Sequence, residues 1–246
     1  EIAFGMRYQR PSLSNALKEL RDKKVDRIIA IPLYPQYSSA ATGSTIDAIN
    51  SAKKNIEGLP EIKIIERFHQ YPEYIDAVIE TTSGIDLRSY DHVLFSFHGI
   101  PERQITKTSI ELGDGKCNFG SCCDAINSGN QYCYRANCLQ TARDLVNRLS
   151  LKEGQYTICF QSRLGRTPWL QPFSDHVIID LAKQGKKKLL VFSPAFVADC
   201  LETIHEIGVE YDELFKEHGG EKVQLVLSLN SSDKWVEALG SIIAKN

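Results

Sequence analysis

No stretch of the 246-residue chain holds the roughly 18 consecutive apolar residues that a membrane-spanning helix needs, and no secretory leader is visible. Charge of one sign is not in excess. Lys and Arg number 29 against 31 Asp and Glu, a net charge of −2, so the basic footprint of a general nucleic-acid binder is missing. Neither G-x-G-x-x-G nor a P-loop occurs, which leaves nucleotide binding without support. The C-x2-C knuckles of most structural zinc sites are absent. So are low-complexity linkers and any strong internal repeat. An initiator methionine is lacking too: the chain opens Glu1-Ile2-Ala3-Phe4-Gly5-Met6, inside an apolar run, as expected of a fragment that starts at or within a strand.

With 42% hydrophobic and 24% charged residues the chain reads as globular, and its length suits two α/β domains of ordinary size. Short apolar runs predict strands over 2–6, 25–31, 61–66, 91–97, 155–160, 187–192 and 222–227. Helical periods predict helices over 13–23, 44–56, 72–82, 134–150, 175–184, 199–218 and 233–244. Several strands are almost continuous in Ile, Val, Leu and Phe, the composition of strands buried on both faces. Alternating strands and helices predict parallel sheets flanked by helices, with the turn-rich stretch 81–89 as the junction between halves. In open parallel sheets ligands bind beyond the carboxyl ends of the strands, so the segments just after the strands are where chemistry is expected.

His98 ends one such run. Gly99 permits a turn and Pro101 stops further pairing, which places an imidazole at the mouth of the sheet as a base or metal ligand, or as a turn histidine bonded to backbone. Glu202 follows a later strand. Asp199-Cys200-Leu201-Glu202 has capping-box spacing, with Asp199 as N-cap and Glu202 at N3. Yet Glu202, Glu206 and Glu210 recur every four residues along one helix face, beside His205, as a carboxylate row toward a cation would. Five of the seven cysteines, Cys117, Cys122, Cys123, Cys133 and Cys138, crowd into a glycine-rich stretch. Irregular C-x4-C spacing suits a four-thiolate [2Fe–2S] centre, with zinc or free redox thiols as the other readings. Cys159 and Cys200, in or beside apolar runs, are expected to be buried and inert. Trp169 and the tyrosines Tyr8, Tyr34 and Tyr37 near strand ends suggest a flat apolar ligand.

Taken in order, these segments resemble the ferrochelatase family, enzymes that insert Fe²⁺ into a porphyrin. The resemblance rests on Met6-Arg7-Tyr8; Tyr34-Pro35-Gln36-Tyr37-Ser38 with Thr42-Gly43-Ser44; Leu94-Phe95-Ser96-Phe97-His98-Gly99-Ile100-Pro101; Gln161-Ser162-Arg163 with Pro168-Trp169-Leu170; and Pro194-Ala195-Phe196 with Asp199-Cys200-Leu201-Glu202-Thr203. It implies two similar Rossmann-like α/β domains of the chelatase type with a porphyrin cleft between them: 1–82 plus 229–246, and 83–228 carrying a cysteine-rich insertion at 111–138. It implies that His98 and Glu202 are the catalytic and metal-site pair, that Glu206 and Glu210 continue the metal site on a helix with a π-type distortion, and that Arg7, Tyr8, Tyr37, Gln161, Ser162, Trp169 and Phe196 bind or border the porphyrin.

The implied reaction is Fe²⁺ insertion into protoporphyrin IX, in the cytoplasm, with peripheral membrane contact suggested by the poor solubility of haem. A coproporphyrin or cobalt chelatase, and an iron–sulfur or zinc sensing protein on a chelatase scaffold, are the competing readings. The chain departs from the family pattern in three ways. The first strand, its Asn-Leu-Gly-Thr-Pro loop and the hydrophobic lip are not in it. Ser39 stands where members with a C-terminal cluster have a cysteine, and no C-terminal cysteine extension follows. The internal cysteines instead resemble a bacterial subgroup with an internal [2Fe–2S] cluster.

Overall fold

A computed structural model describes all 246 residues. It contains two parallel sheets. In the smaller, β1 (Arg27–Ala30) pairs with β2 (Glu61–Ile64), Ile28 opposite Ile62. In the larger, β3 (His92–His98), β4 (Tyr156–Gln161), β5 (Lys188–Phe192) and β6 (Lys222–Leu225) lie in the order β4-β3-β5-β6. Parallel neighbours require crossovers, and helices supply them. In chain order they are α1 (Leu13–Asp22), α2 (Ser44–Lys54), α3 (Pro72–Glu80), α4 (Glu102–Leu112), α5 (Tyr134–Arg148), α6 (Ser174–Lys183), the short α7 (Leu201–Ile204), α8 (Tyr211–Glu217) and α9 (Asp233–Ala244). The α/β architecture with parallel sheets flanked by helices agrees with the sequence reading.

β3 shows why such strands read as unbroken apolar runs. Val93, Phe95 and Phe97 point into a core of 28 buried residues that also holds side chains of α3, α5 and α9. Leu94 points the other way, into a core of 12 with residues of α6 and α8. Period-two alternation thus feeds two helix layers. The strand order then fixes where a ligand belongs. The chain leaves β3 toward β4 on one side and returns to β5 on the other, so the crevice beyond the carboxyl ends of β3 and β5 is the topological switch point. His98 and the segment Ser193–Phe196 both open onto it.

Two local expectations differ from the structure. No strand forms over 2–6: Met6 makes only a bridge to Ser12, its N–H donating to the Pro11 carbonyl at 2.7 Å, while Ile2 and Phe4 are 90% and 61% exposed. An apolar run without a neighbouring strand edge has nothing to pair with. α4 lies in a stretch given no helix, because its buried face uses Thr108 and Ser109 beside Ile105 and so breaks the apolar period. The helix expected over 199–218 carries the π-type distortion that the resemblance implied: after α7 a π-turn spans 206–210, where the Glu210 N–H reaches the His205 carbonyl at 2.9 Å. A second π-turn spans Ser39–Gly43.

His69 carries a pH consequence. Its imidazole is fully buried and neither ring nitrogen has a hydrogen-bond partner. Burial, reinforced by the charge of Arg67, lowers its pKa from 6.5 to about 3. The folded state therefore releases a proton that the unfolded chain holds below about pH 6.5. Stability should be full above that pH and decline as pH falls toward 3, by on the order of 4 kcal/mol in all. Denaturant midpoints of the parent and His69→Leu between pH 7 and 4 check this; the variant should lose most of the slope.

Candidate functional site

Gly99 shapes the end of β3. Its N–H donates to the Gln161 carbonyl at 2.8 Å, and a Cβ here would stand 2.8 Å from that same oxygen, so only glycine lets the two strand ends approach. The turn brings the Gly99 carbonyl back onto the imidazole, 2.6 Å from His98 Nδ1. A carbonyl only accepts, so Nδ1 carries the hydrogen and neutral His98 presents a bare lone pair at Nε2. That nitrogen lies 3.5 Å from Oε1 of Glu202, with both side chains partly open to solvent.

Glu202 is free to face His98 because another residue caps the helix. The Cys200 N–H donates to Oγ1 of Thr203 at 2.9 Å, so Thr203 occupies the position the capping-box spacing gave to Glu202. Asp199 is not the N-cap either. Its carboxylate accepts from Asn230 Nδ2, the Ser228 N–H and Thr203 Oγ1 at 2.8–3.1 Å. Burial pushes the Asp199 carboxyl up, but these bonds together outweigh it and hold the group below its usual range.

Glu206 faces inward from the π-turn. Oε1 accepts from the Ser162 N–H and the Tyr211 hydroxyl, each at 3.0 Å, and Oε2 accepts from Ser162 Oγ at 2.6 Å and Gln161 Nε2 at 3.4 Å. Burial and the Glu206 charge both raise the Tyr211 phenol, which stays a donor. Glu210 instead pairs with His205, Oε1 to Nδ1 at 3.2 Å. Gln161 is buried and links the parts, accepting from Ser96 Oγ at 2.8 Å and donating to the Glu202 carbonyl at 2.9 Å.

The aromatic residues divide. The Phe196 ring lies 6.2 Å from that of His98, and Trp169 packs behind the Gly99 turn, bridged to Pro101. Tyr37 is buried, its ring 5.1 Å from that of Tyr132. Tyr8 is exposed beneath the Arg7 guanidinium, and Arg7 Nε donates to Ser44 Oγ at 2.7 Å. A cavity of about 800 Å³ lies among the 39–43 π-turn, α2 and α4 and includes Tyr37, but neither His98 nor Glu202 lines it. The site belongs to the open crevice, because the reactive atoms meet there.

Cys159 is buried as expected, but Cys200 is exposed, with Sγ 3.9 Å from Oε2 of Glu202. It caps a helix that starts at the surface, so its apolar neighbours do not cover it. Iodoacetamide should label Cys200 before the other thiols, by more than about tenfold in rate, and suppress activity as it does so. Peptide mapping checks the order of labelling, and Cys200→Ser should remove the sensitivity.

The other five cysteines are neighbours rather than a converged ligand set, and no three His, Cys, Asp or Glu side chains in the protein meet as a metal site. Cys122 Sγ lies 3.7 Å from Cys123 Sγ. The proximity of Cys123 and Cys133 raises the Cys123 thiol and lowers that of Cys133. Cys138 is fully buried on α5, which pushes its thiol up.

A parallel α/β sheet with a His–carboxylate pair at its switch point, on a helix opened by a π-turn, defines a chelatase-like protein. Solved structures of similar shape bear this out for the fold. SirB from Bacillus subtilis with Fe³⁺ has a TM-score of 0.63 at 12% identity, covering 98% of this chain and 80% of its own. The sirohydrochlorin chelatase SirB from Bacillus subtilis subspecies spizizenii in complex with cobalt has a TM-score of 0.61 at 13% identity, covering 97% and 76%. The Ferrochelatase family model matches residues 1–246. The chain is 45% identical over 243 residues to the ferrochelatase of Legionella pneumophila (strain Corby), 99% of this chain and 71% of that one. It is 40% identical over 247 residues to that of Coxiella burnetii (strain CbuG_Q212), 100% of this chain and 68% of that one. The chain belongs to the ferrochelatase family, the enzymes of haem biosynthesis that insert Fe²⁺ into a porphyrin.

Sequence reasoning missed Tyr134, whose hydroxyl donates to the His98 carbonyl, and Tyr211, five residues after Glu206. Tyr134 sits among cysteines, which drew the reading toward sulfur. The spacing of Tyr211 becomes a contact only in a π-turn.

Proposed function

We propose that the chain inserts Fe²⁺ into protoporphyrin IX at the crevice beyond β3 and β5, with His98 as the acceptor of pyrrole protons and Glu202 as its partner. The observation that carries this reading is the bare Nε2 of His98 facing Glu202 across 3.5 Å, with Nδ1 committed to the Gly99 carbonyl. A porphyrin resists metal entry because two N–H protons and a rigid ring block its centre. Holding the ring bent exposes its nitrogen lone pairs, at the expense of binding energy elsewhere on the ligand. Neutral His98 then takes the two protons one at a time, passing the first on before it accepts the second, and Glu202 positions His98, carries those protons or binds the incoming Fe²⁺. Glu206 and Glu210 extend the acidic row along the helix; Glu206 reaches a metal only by releasing Ser162 and Tyr211. Arg7, Tyr8, Tyr37, Trp169 and Phe196 border the porphyrin, with Gln161 and Ser162 at its polar edge. Segments 1–82 plus 229–246 and 83–228 form the two domains on either side.

The soft thiolate donors that a [2Fe–2S] cluster needs are present among the five cysteines: Cys122 Sγ lies 3.7 Å from Cys123 Sγ, and the proximity of Cys123 holds the Cys133 thiol below its ordinary range. Four of Cys117, Cys122, Cys123, Cys133 and Cys138 would hold it. When bound, the cluster adds structure or sensing, because Fe²⁺ enters and leaves the reaction as Fe²⁺. No helix is long and apolar enough to cross a membrane. Peripheral membrane contact of a cytoplasmic enzyme fits the poor solubility of haem.

The test is anaerobic Fe²⁺ insertion followed by the Soret band, with protoporphyrin IX and coproporphyrin III compared. Faster turnover of protoporphyrin IX supports the reading. Preference for coproporphyrin overturns the substrate, and absence of both porphyrin binding and insertion overturns the function.

A further inference from the structure

Tyr134 is the first residue of α5 and directly follows Cys133. Its ring is buried in the 28-residue core, and its hydroxyl donates to the backbone carbonyl of His98 at 2.8 Å. Cys133, immediately before it, and Cys138, one turn later on α5, are buried in the same core, so the residue that holds the backbone of His98 is flanked by two of the cysteines. Cys133 is the N-cap of α5, and its carbonyl accepts from the Asn137 N–H at 2.9 Å. Farther along, Asn137 donates to the Gln131 carbonyl in the cysteine segment at 3.1 Å and accepts from the Tyr37 N–H at 3.2 Å. α5 therefore touches the cysteine segment, the turn at His98 and the loop that carries Tyr37.

The His98–Gly99 turn is held from three directions. Tyr134 holds the His98 carbonyl, the Gln161 carbonyl holds the Gly99 N–H, and the Gly99 carbonyl holds His98 Nδ1. Two of these bonds lie within the sheet and its own turn. The third comes from α5, and its donor moves with the helix end that the cysteines flank. A change in bonding at Cys133 acts on the residue next to Tyr134, and so on the donor that holds the carbonyl of His98.

We infer that Tyr134 is a positioning residue through which the cysteine segment sets the placement of His98, an inference that rests on those cysteines holding a cluster. Tyr134→Phe removes the hydroxyl and keeps the ring. It should lower kcat for Fe²⁺ insertion by about tenfold, leave KM for the porphyrin within about twofold, and leave the iron and sulfide content unchanged. Hydrogen exchange at the amides of 98–102 gives a readout apart from activity. Anaerobic chelation of the cluster from the parent protein should speed that exchange at least about tenfold, whereas in Tyr134→Phe exchange starts fast and chelation adds little.

Unchanged kcat in Tyr134→Phe, or exchange at 98–102 indifferent to chelation in the parent, overturns the inference. A parent protein containing neither iron nor sulfide overturns the cluster reading separately. In that case Cys133→Ala replaces chelation: faster exchange at 98–102 supports the link through Tyr134 and unaltered exchange overturns it. The same variant serves if Tyr134→Phe fails to fold.

Discussion

In His98→Ala, Fe²⁺ insertion should fall by at least about 10³-fold while porphyrin affinity stays within about tenfold. The two halves of that expectation have different physical sources. Turnover collapses because Nε2 is the ring nitrogen left facing Glu202 and the crevice, the other nitrogen being committed to the Gly99 carbonyl. Porphyrin binding survives because it draws on a spread of apolar and cationic side chains, of which the imidazole is a small part. Soret-monitored insertion and fluorescence quenching of the bound porphyrin separate the two quantities. Near-normal turnover would remove His98 from the mechanism. Equal losses in binding and turnover would make it a porphyrin contact instead.

Glu202→Gln should slow turnover by about 10²-fold with a Tm change under about 2 °C. The helix does not depend on this carboxylate, since Thr203 receives the Cys200 N–H and Asp199 ties the preceding turn to Ser228 and Asn230. The amide keeps the shape and loses only the charge facing Nε2. By contrast Thr203→Ala should lower Tm clearly and leave the insertion step less affected, and calorimetry beside the insertion assay compares the two. A large fall in Tm for Glu202→Gln with modest loss of turnover would make Glu202 a helix cap after all.

What the sequence made legible follows from range. His98 could be placed because a glycine and a proline directly after an apolar run end a strand, and both signals are local. The alternation of strands and helices was legible for the same reason, and the parallel sheets follow from it. The misreadings came from features decided at a distance. The run at 2–6 is apolar enough for a strand but finds no edge to join. Glu202, Glu206 and Glu210 keep an even spacing in sequence, yet only the fold shows the first facing His98, the second folded onto Ser162 and Tyr211, and the third paired with His205. Cys200 looked buried because its neighbours in sequence are apolar, while its neighbours in space are few. Tyr134 carries no motif at all; its importance is a single bond across 36 residues of chain.

The π-turn at 206–210 can be regarded as a helix carrying one residue more than its hydrogen-bond ladder accommodates. Each residue of a regular α-helix advances about 100° around the axis. Deleting one residue between Glu206 and Glu210 would thus restore an ordinary helix and swing everything after it by about that angle. Tyr211 would leave Glu206, and Asp212 would leave the Val223 N–H that it now holds at 2.7 Å at the start of β6. The surplus residue is a spacer counted into the chain: it lets one helix satisfy both the crevice at its beginning and the sheet at its end. A shortened chain could satisfy either one, not both.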